Sequence, residues 1–524
     1  MTQYIRAYLV GGGVGSLAAA AFMIRDGGMH GENITIFETL TQLGGSLDGA
    51  GNPEDGYSMR GGRMLTTDNY ECTWNLFKTV PSLSDPSKTV FDEILEFNSR
   101  MKAHSKARLV DRNRAIVDVS SMGFSMKDRI ELLKLTEASE EKLGTSVITD
   151  WLSPEFFTTN FWYMWQTTFA FQPWHSAIEF RRYLHRFMKE FSRIETLAGV
   201  KRTVYNQYDS LVRPLVHWLR EKNVRFQTDT TVTDFEFDAD AAKLTVVGIM
   251  LKQAGEAKRV AVGENDLVIF QNGSMTDASS IGSMTRVPTP LTKADSGGWS
   301  LWEKLADGRP EFGDPSVFNS SIPESCWASF TVTLKDTAFF EQMEAFSGNK
   351  AGTGGLVTFR DSNWLMSVVL AYQPHFANQP DDVQVFWGYA LHPDRIGDFV
   401  AKPMSACSGE DILRELCGHL NFDFDKTFAA ANCIPCRMPY ITSMFMPRAL
   451  SDRPLPVPKT SGNLALVSQF VEVPEDVVFT VEYSVRAAQM AVYELLDIQR
   501  EVPPIRRHDK SIKVNIDAVI KAFK

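Results

Sequence analysis

The chain has 524 residues, more than one ordinary core accommodates, so two or three domains are expected. A formal net charge of -10, with no basic stretch able to neutralise a run of phosphates, excludes nucleic acid as the main partner. Six scattered cysteines (Cys72, Cys326, Cys407, Cys417, Cys433 and Cys436) form no disulfide framework and point to a reducing cytoplasm.

Tyr4 to Val10 reads as a short apolar strand running into Gly11-Gly12-Gly13-Val14-Gly15-Ser16. A small-residue helix, Leu17 to Ile24, and a second strand, Ile34 to Phe37, follow and end at Glu38. Gly11 permits the tight turn, and Gly13 lets the backbone approach a pyrophosphate on the helix N-terminus. The third glycine of the pattern is here Ser16, while Glu38 stands where an acid grips a ribose hydroxyl. A second pair, Gly44-Gly45-Ser46, suits FAD better than NAD. Ala7 to Ile24 is uncharged and follows Arg6, as in a signal peptide, but its glycines and strand-turn-helix grammar make it a nucleotide loop. No other run approaches the roughly 20 apolar residues of a spanning helix.

Two insertions, Lys78 to Lys201 and Pro290 to Pro454, are assigned to a substrate domain. The first holds a predicted helix, Lys127 to Leu143, then an aromatic stretch from Phe156 to Trp174 that suits a hydrophobic tunnel and an ordinary core equally. His175 reads as a satisfied histidine at a helix start, without partners at metal-ligand spacing. From Tyr205 to Gly282 come a helix (Ser210 to Lys222) and strands at Val224 to Phe226, Thr231 to Phe237 and Lys243 to Leu251. Asp266 to Phe270 then runs into Asn272-Gly273-Ser274. A last unit pairs Ala465 to Val467 with a helix from Val481 to Leu496. Such strands, meeting small residues and then helices, predict a parallel sheet. Cys433-Ile-Pro-Cys436 reads as two half-buried thiols near a turn, and the tail beyond Pro503 as a solvated terminal helix rather than a membrane-surface one. The expected fold is α/β: a discontinuous Rossmann-like FAD-binding domain (1–77, 202–289, 455–500) with an inserted, partly helical substrate domain (78–201, 290–454) and a tail (501–524).

Met59-Arg60-Gly61-Gly62-Arg63-Met64 places two arginines around a glycine pair just past the pyrophosphate loop, where guanidinium groups can pair with phosphate. This loop, Asp68-Asn69-Tyr70-Glu71-Cys72, the Phe161 to His175 block, Arg181-Arg182-Tyr183 and Tyr205-Asn-Gln207-Tyr-Asp209-Ser all resemble oleate hydratases. So do Asn272-Gly-Ser-Met-Thr276-Asp277, Met438-Pro-Tyr-Ile-Thr442 and Gln469 to Ser484. This FAD-dependent family was formerly termed myosin-cross-reactive antigens, and the resemblance covers nearly the whole chain.

The resemblance implies addition of water across the cis-9 double bond of an unsaturated fatty acid, giving the 10-hydroxy acid, with FAD in a structural role. The proton-donating tyrosine of the family matches Tyr183. The glutamate that activates water in the family is replaced by Met64, and a thioether cannot take a proton. Asp68 or Glu71 can substitute, Thr66 or Thr67 can hold the water, or the chain is a slow or altered hydratase. Asp68 also reads as the cap of the helix containing Trp74. Gln207 and Thr442 match the residues that bind the substrate carboxylate, while Met444 departs from a polar residue and can alter regiochemistry. The FAD contacts implied are Gly11, Gly13, Gly15, Glu38, Gly45, Arg63, Val232 and Ser274, with Phe470 to Pro474 near the flavin. Longer members carry a further C-terminal region linked to dimers and membrane contact; this sequence stops short of it, so a monomer is expected and a peripheral membrane contact stays open. Two rivals share the architecture: a lipid-directed FAD oxidoreductase and a non-catalytic lipid-binding protein.

Overall fold

The computed structural model describes residues 6–62 and 64–524. Five parallel strands form one sheet in the order Leu464–Leu466, Leu267–Phe270, Ala7–Val10, Ile34–Phe37, Arg225–Gln227. Its four inner and edge strands of apolar sequence are buried along their whole length, as a sheet covered on both faces requires. Tyr4, where the first strand was expected to begin, lies outside the described residues. The helix Val14–Arg25 packs against the helix Val481–Leu495, and the run Ala18–Ala21 is fully buried, so small side chains let the two approach closely.

A second, mostly antiparallel sheet of seven strands joins the two insertions. Its centre is Trp327–Leu334 between Ala431–Met438 and Gln384–Ala390. Leu109–Val110 from the first insertion adds a parallel edge strand to Val357–Phe359.

Several expected elements differ in detail. Thr230–Phe237 and Val246–Gln253 leave the parallel sheet and form an antiparallel three-stranded sheet with Glu256–Ala261. The turn Ala254-Gly255, with φ of 50° and 84°, is the tight hairpin geometry that forces antiparallel pairing. The helix expected over Lys127 to Leu143 is two, Met126–Glu137 and Glu140–Leu143, because Ala138 is extended and Ser139 caps a new start. The helix expected at Ser210 opens instead with a π turn, Tyr208–Val212, before Arg213–Glu221.

Cys433 and Cys436 are fully buried on the strand Ala431–Met438, not half-buried at a turn. Three residues apart on a pleated strand they face opposite sides, and they join different apolar clusters, so they cannot meet as a redox pair. The aromatic stretch is chiefly core: Phe156, Phe161, Trp162, Trp165 and Phe171 are enclosed.

The C-terminal helix Ile512–Ala522 is docked rather than solvated all round. Lys521 bonds Glu195 at 2.6 Å, and Arg129 donates to the Ala522 carbonyl. Val514, Ala518, Lys521 and Ala522 are turned to the protein, leaving Ile512, Ile516, Val519 and Ile520 exposed, as are Met126, Ile130 and Leu133 of the helix that carries Arg129. No helix among the described residues is long and apolar enough to cross a membrane.

Candidate active site and nucleotide cradle

The two glycine loops lock together. Gly11 has φ +96° and Gly44 φ +110°, conformations closed to most side chains. The Gly44 N–H donates to the Gly12 carbonyl at 2.9 Å, and Gly13 bridges Gly44. A Cβ on Gly13 would come within 2.4 Å of the Gln271 amide, and one on Gly45 within 3.2 Å of the Gly13 Cα. Gly15 is looser, its nearest neighbour being Val467 at 3.5 Å. Gly13 caps the helix Val14–Arg25 without a side-chain hydrogen bond, so the first-turn N–H groups remain directed at the loop.

Glu38 accepts hydrogen bonds from the Gly12 and Leu40 N–H groups at 2.6 and 2.8 Å. Burial nevertheless pushes its pKa above the usual carboxylate value, those two bonds opposing. Ser16 Oγ and Gln271 Oε1 are buried here without partners. A bare helix terminus, two left-handed glycines and two orphaned polar atoms fit a dinucleotide phosphate. Arg60 closes this region by bonding Asp48 at 3.0 Å and the Gly45 carbonyl at 2.8 Å. Arg63 lies outside the described residues.

Of the other residues expected at the cofactor, Val232 is buried beside an irregularity in its strand pairing. The Ser274 hydroxyl accepts from the Thr276 N–H at 3.3 Å. The Phe470 ring is buried among Trp299, Trp302 and Phe318.

Tyr183 sits on the helix Ala177–Arg186, whose N-cap is Ser176. Its ring is boxed by Phe171 at 5.0 Å, Phe169 at 5.2 Å, Phe445 at 5.6 Å and Phe187 at 5.7 Å. The hydroxyl accepts a hydrogen bond from the Phe479 N–H at 3.0 Å, which leaves its own proton free to donate. Burial drives the phenol well above its ordinary pKa, against the pull of that N–H, so it is neutral throughout the physiological range.

The Tyr183 helix is clamped by charge. Arg182 bonds Glu140 and Glu472, each at 2.7 Å, and Arg186 bonds Asp476 at 3.1 Å and Glu71 at 3.0 Å. Arg486 joins Asp476, Glu71 and Glu482 at about the same range, 2.9 to 3.0 Å. Tyr183 lies between two arginines on the same helix, so its position relative to the segment 472–486 is set from both sides. Buried ion pairs of this kind add little net stability over apolar packing, but removing one partner is costly.

Two cavities meet at Gly62 and Met64. One, of about 690 Å³, runs along Phe169, Phe187 and Phe479, the residues wrapped around Tyr183, and is also lined by Thr66, Tyr70, Glu190 and Arg193. The other, of about 650 Å³, lies between the segment 202–207 and the seven-stranded sheet, lined by Met59, Gln207, Leu356, Val369, His375 and Trp387 among others.

The residues singled out near Met64 separate. Asp68 lines neither cavity: Lys189 holds it at 2.6 Å and Arg506 at 3.7 Å. Partial burial would raise its pKa, but the Lys189 bond and charge outweigh this and hold it low. It is not the cap of the helix Glu71–Phe77 either; the Glu482 carboxylate accepts from the Cys72 and Thr73 N–H groups at 2.9 and 2.8 Å. Glu71 is bound to arginines, while Thr66 lines the Tyr183 cavity.

Gln207 lines the second cavity, whereas Thr442 is buried with its hydroxyl donating to the Ser325 carbonyl at 3.0 Å. Thr442 opens the turn Ser443–Phe445 that brings Phe445 against Tyr183. His175, fully buried, accepts from the Gln172 N–H through Nδ1 at 3.0 Å, and burial pulls its pKa down to about 3.

The residue that sequence reasoning missed is Glu190, the carboxylate on the wall of the Tyr183 cavity, bonded to Arg193 at 2.9 Å. Tyr183, Phe187 and Glu190 have the helical spacing i, i+4, i+7, visible in the chain, although the helix breaks at Phe187 between Ala177–Arg186 and Met188–Phe191.

The model of the MCRA family matches residues 5–493. An oleate hydratase of Streptococcus pyogenes serotype M49 (strain NZ131) is 40% identical over 509 residues, covering 95% of this chain and 86% of the relative. A linoleate hydratase of Lactiplantibacillus plantarum is 33% identical over 562 residues, covering 99% and 98%. Among solved structures, cyclohexylamine oxidase from Brevibacterium oxydans IH-35A has a TM-score of 0.53 at 12% identity, covering 94% of this chain and 99% of its own. A putrescine oxidase has a TM-score of 0.53 at 11% identity, covering 95% and 100%. At such identities these two speak for the shared α/β fold alone.

Proposed function

The chain belongs to the MCRA family, and from that premise we propose that it is a fatty acid hydratase, adding water across the cis-9 double bond of acids such as oleate to give the 10-hydroxy acid. The observation that carries this reading is the enclosed, neutral Tyr183 beside an aromatic-walled cavity that continues into a second one.

On this reading the five-stranded sheet (1–77, 202–289, 455–500) holds the nucleotide, and the remainder (78–201, 290–454) the acyl chain. Gly11, Gly13, Gly15, Glu38, Gly45, Arg63, Val232, Ser274 and the Phe470 backbone would hold FAD. Once bound, FAD supplies an aromatic face and negative charge without redox change, because hydration alters no net oxidation state.

Tyr183 donates its proton to one alkene carbon, leaving positive charge on the other. Aromatic walls stabilise that charge and exclude competing water. A water held at Thr66 adds its oxygen to the cationic carbon and passes a proton to the Glu190 carboxylate, from which it returns to Tyr183 through solvent. Glu190 takes this part in preference to Asp68 because its carboxylate lines the Tyr183 cavity and that of Asp68 lines neither cavity. Gln207 contacts the acyl carboxylate, and Thr442 serves it by placing Phe445. The protein acts as a cytoplasmic monomer, and the exposed stripe of Ile512, Ile516, Val519 and Ile520 is its peripheral membrane contact.

The test is oleate turnover in ¹⁸O-labelled water with added FAD, run anaerobically with and without a flavin reductant. One solvent oxygen in a hydroxy acid product, without net electron transfer, supports the hydratase. Products dependent on electron transfer would favour an oxidoreductase, and bound but unchanged oleate a lipid-binding protein.

A further inference from the structure

Among the described residues, Arg202 is a cation without a counter-ion on the wall of the second cavity. Its backbone is pinned on both sides by Asn98: the Arg202 N–H donates to Asn98 Oδ1 at 2.9 Å, and Asn98 Nδ2 donates to the Arg202 carbonyl at 2.7 Å. One guanidinium nitrogen, Nη2, donates to the Gly354 carbonyl at 2.6 Å. Nε is sealed from solvent with no hydrogen-bond partner, and Arg202 forms no ion pair among the described residues. The nearby acid on the same stretch, Asp209, is taken by Arg213 at 2.7 Å and by the Asn206 amide at 2.8 Å.

Burial alone pulls the Arg202 pKa down to about 10, which still leaves it charged at neutral pH. His375 on the same wall is pulled down to about 4, chiefly by burial and then by Arg202 itself, so it is neutral and brings no competing charge. A buried charge left unpaired is costly, and an anion bound from solution would relieve it. Beside Arg202 the wall offers the Gln207 amide, which can donate hydrogen bonds, while the Thr203 hydroxyl is already donated to the Tyr205 carbonyl; the rest is largely apolar, with Met59, Leu356, Val369 and Trp387. One anionic end in an otherwise apolar cavity describes a long-chain carboxylate.

We propose that Arg202 is the charged anchor of the fatty acid carboxylate, pairing with it through the guanidinium nitrogen Nη1 while the Gln207 amide completes the contact. This rests on the fatty acid reading above and adds to it the residue that sets the register of the chain. With the carboxylate fixed at Arg202, the acyl chain runs past Met64 toward Tyr183, and the distance from anchor to phenol decides which carbons react.

The test compares oleate with oleyl alcohol, which keeps the chain and removes the charge, by calorimetric binding to the flavin-loaded protein and to Arg202→Gln and Arg202→Lys. Arg202→Gln should weaken oleate binding by about 30- to 100-fold, as loss of a charge-assisted pair does, and leave oleyl alcohol within about twofold. Arg202→Lys should recover part of the loss. In turnover, KM for oleate should rise with kcat changed less than about threefold, and thermal stability should hold or increase, since a lone buried charge has gone. Equal weakening of acid and alcohol, or unchanged oleate binding, overturns the anchor. A preference for acid over alcohol that depends on Arg202, in a protein that makes no hydroxy acid, sustains the anchor and sinks the hydratase; normal hydration with unchanged affinity in Arg202→Gln does the reverse.

Discussion

Replacing Tyr183 by phenylalanine removes one oxygen from the box formed by Phe169, Phe171, Phe187 and Phe445. The ring contacts stay, so no cavity opens beyond the hydroxyl itself. What is lost is the acceptor of the Phe479 N–H, and a buried N–H without a partner costs about 1–3 kcal/mol. That is a modest shift in denaturant midpoint in a chain held by two large sheets. The chemistry suffers more. Loss of a general acid costs about 10²- to 10⁴-fold in rate, and the four phenylalanine rings of the box carry no proton to donate in its place. The assay is paired: urea denaturation followed by circular dichroism, and formation of hydroxy acid from oleate followed by mass spectrometry. The pH profile adds a sign. A folded-state pKa raised above the free value of about 10 means the neutral phenol contributes stability that is complete below pH 10 and lost above it, as the unfolded chain ionises. Tyr183→Phe should flatten that alkaline decline. A variant that hydrates oleate within about threefold of the parent would refute the proton-donor assignment, however its stability changed.

Glu190→Gln should keep the fold and KM while lowering kcat by about 10²-fold or more; an unchanged kcat would return the proton-accepting role to solvent or to hydroxyl groups. Glu482→Ala leaves two helix-start N–H groups uncapped and Arg486 short of a partner, and should destabilise by about 3–5 kcal/mol in urea; a loss under about 1 kcal/mol would show that Asp476 and Glu71 suffice. Asp509, held at a pKa of about 2, burial being outweighed by Arg507 and His185, contributes stability present above pH 4 and lost as pH falls through 2. Asp509→Asn should therefore speed hydrogen exchange of Ile512–Ala522 at neutral pH, and unaltered exchange would mean that Lys521 alone secures the helix.

What could be read from the chain follows the range of the interactions concerned. The glycine cradle was legible because positive φ and close approach admit only one residue type, and Ile34–Phe37 was bounded correctly by its own apolar run. The aromatic stretch was not decidable, because Phe161, which is core, and Phe169, which faces a cavity, differ only in what packs against them from distant segments. The cap of Glu71–Phe77 was unreadable for the same reason: Asp68 stands at the right spacing, but the carboxylate that serves it comes from Glu482. Glu190 and Arg202 carry no motif. Their meaning lies in one facing a cavity beside Tyr183 and in the other lacking a counter-ion, neither of which is a property of neighbouring residues.

The clasp between Glu482 and the Cys72 amide joins groups 410 positions apart, and it orders events during synthesis. A ribosome delivering residues at a steady pace completes the glycine loops early, yet the edge strand Leu464–Leu466 and the helix Val481–Leu495 follow only after both insertions have been made. Until then, Arg182 and Arg186 face no Glu472 or Asp476, the start of Glu71–Phe77 is open, and Ala18–Ala21 lack their covering helix. The nascent chain thus carries a half-built sheet for most of its translation, a state prone to sticking and to chaperone capture. Closure by the last segment completes fold and site together, so a chain interrupted before Arg486 is inactive for reasons of assembly although Tyr183 has long been made.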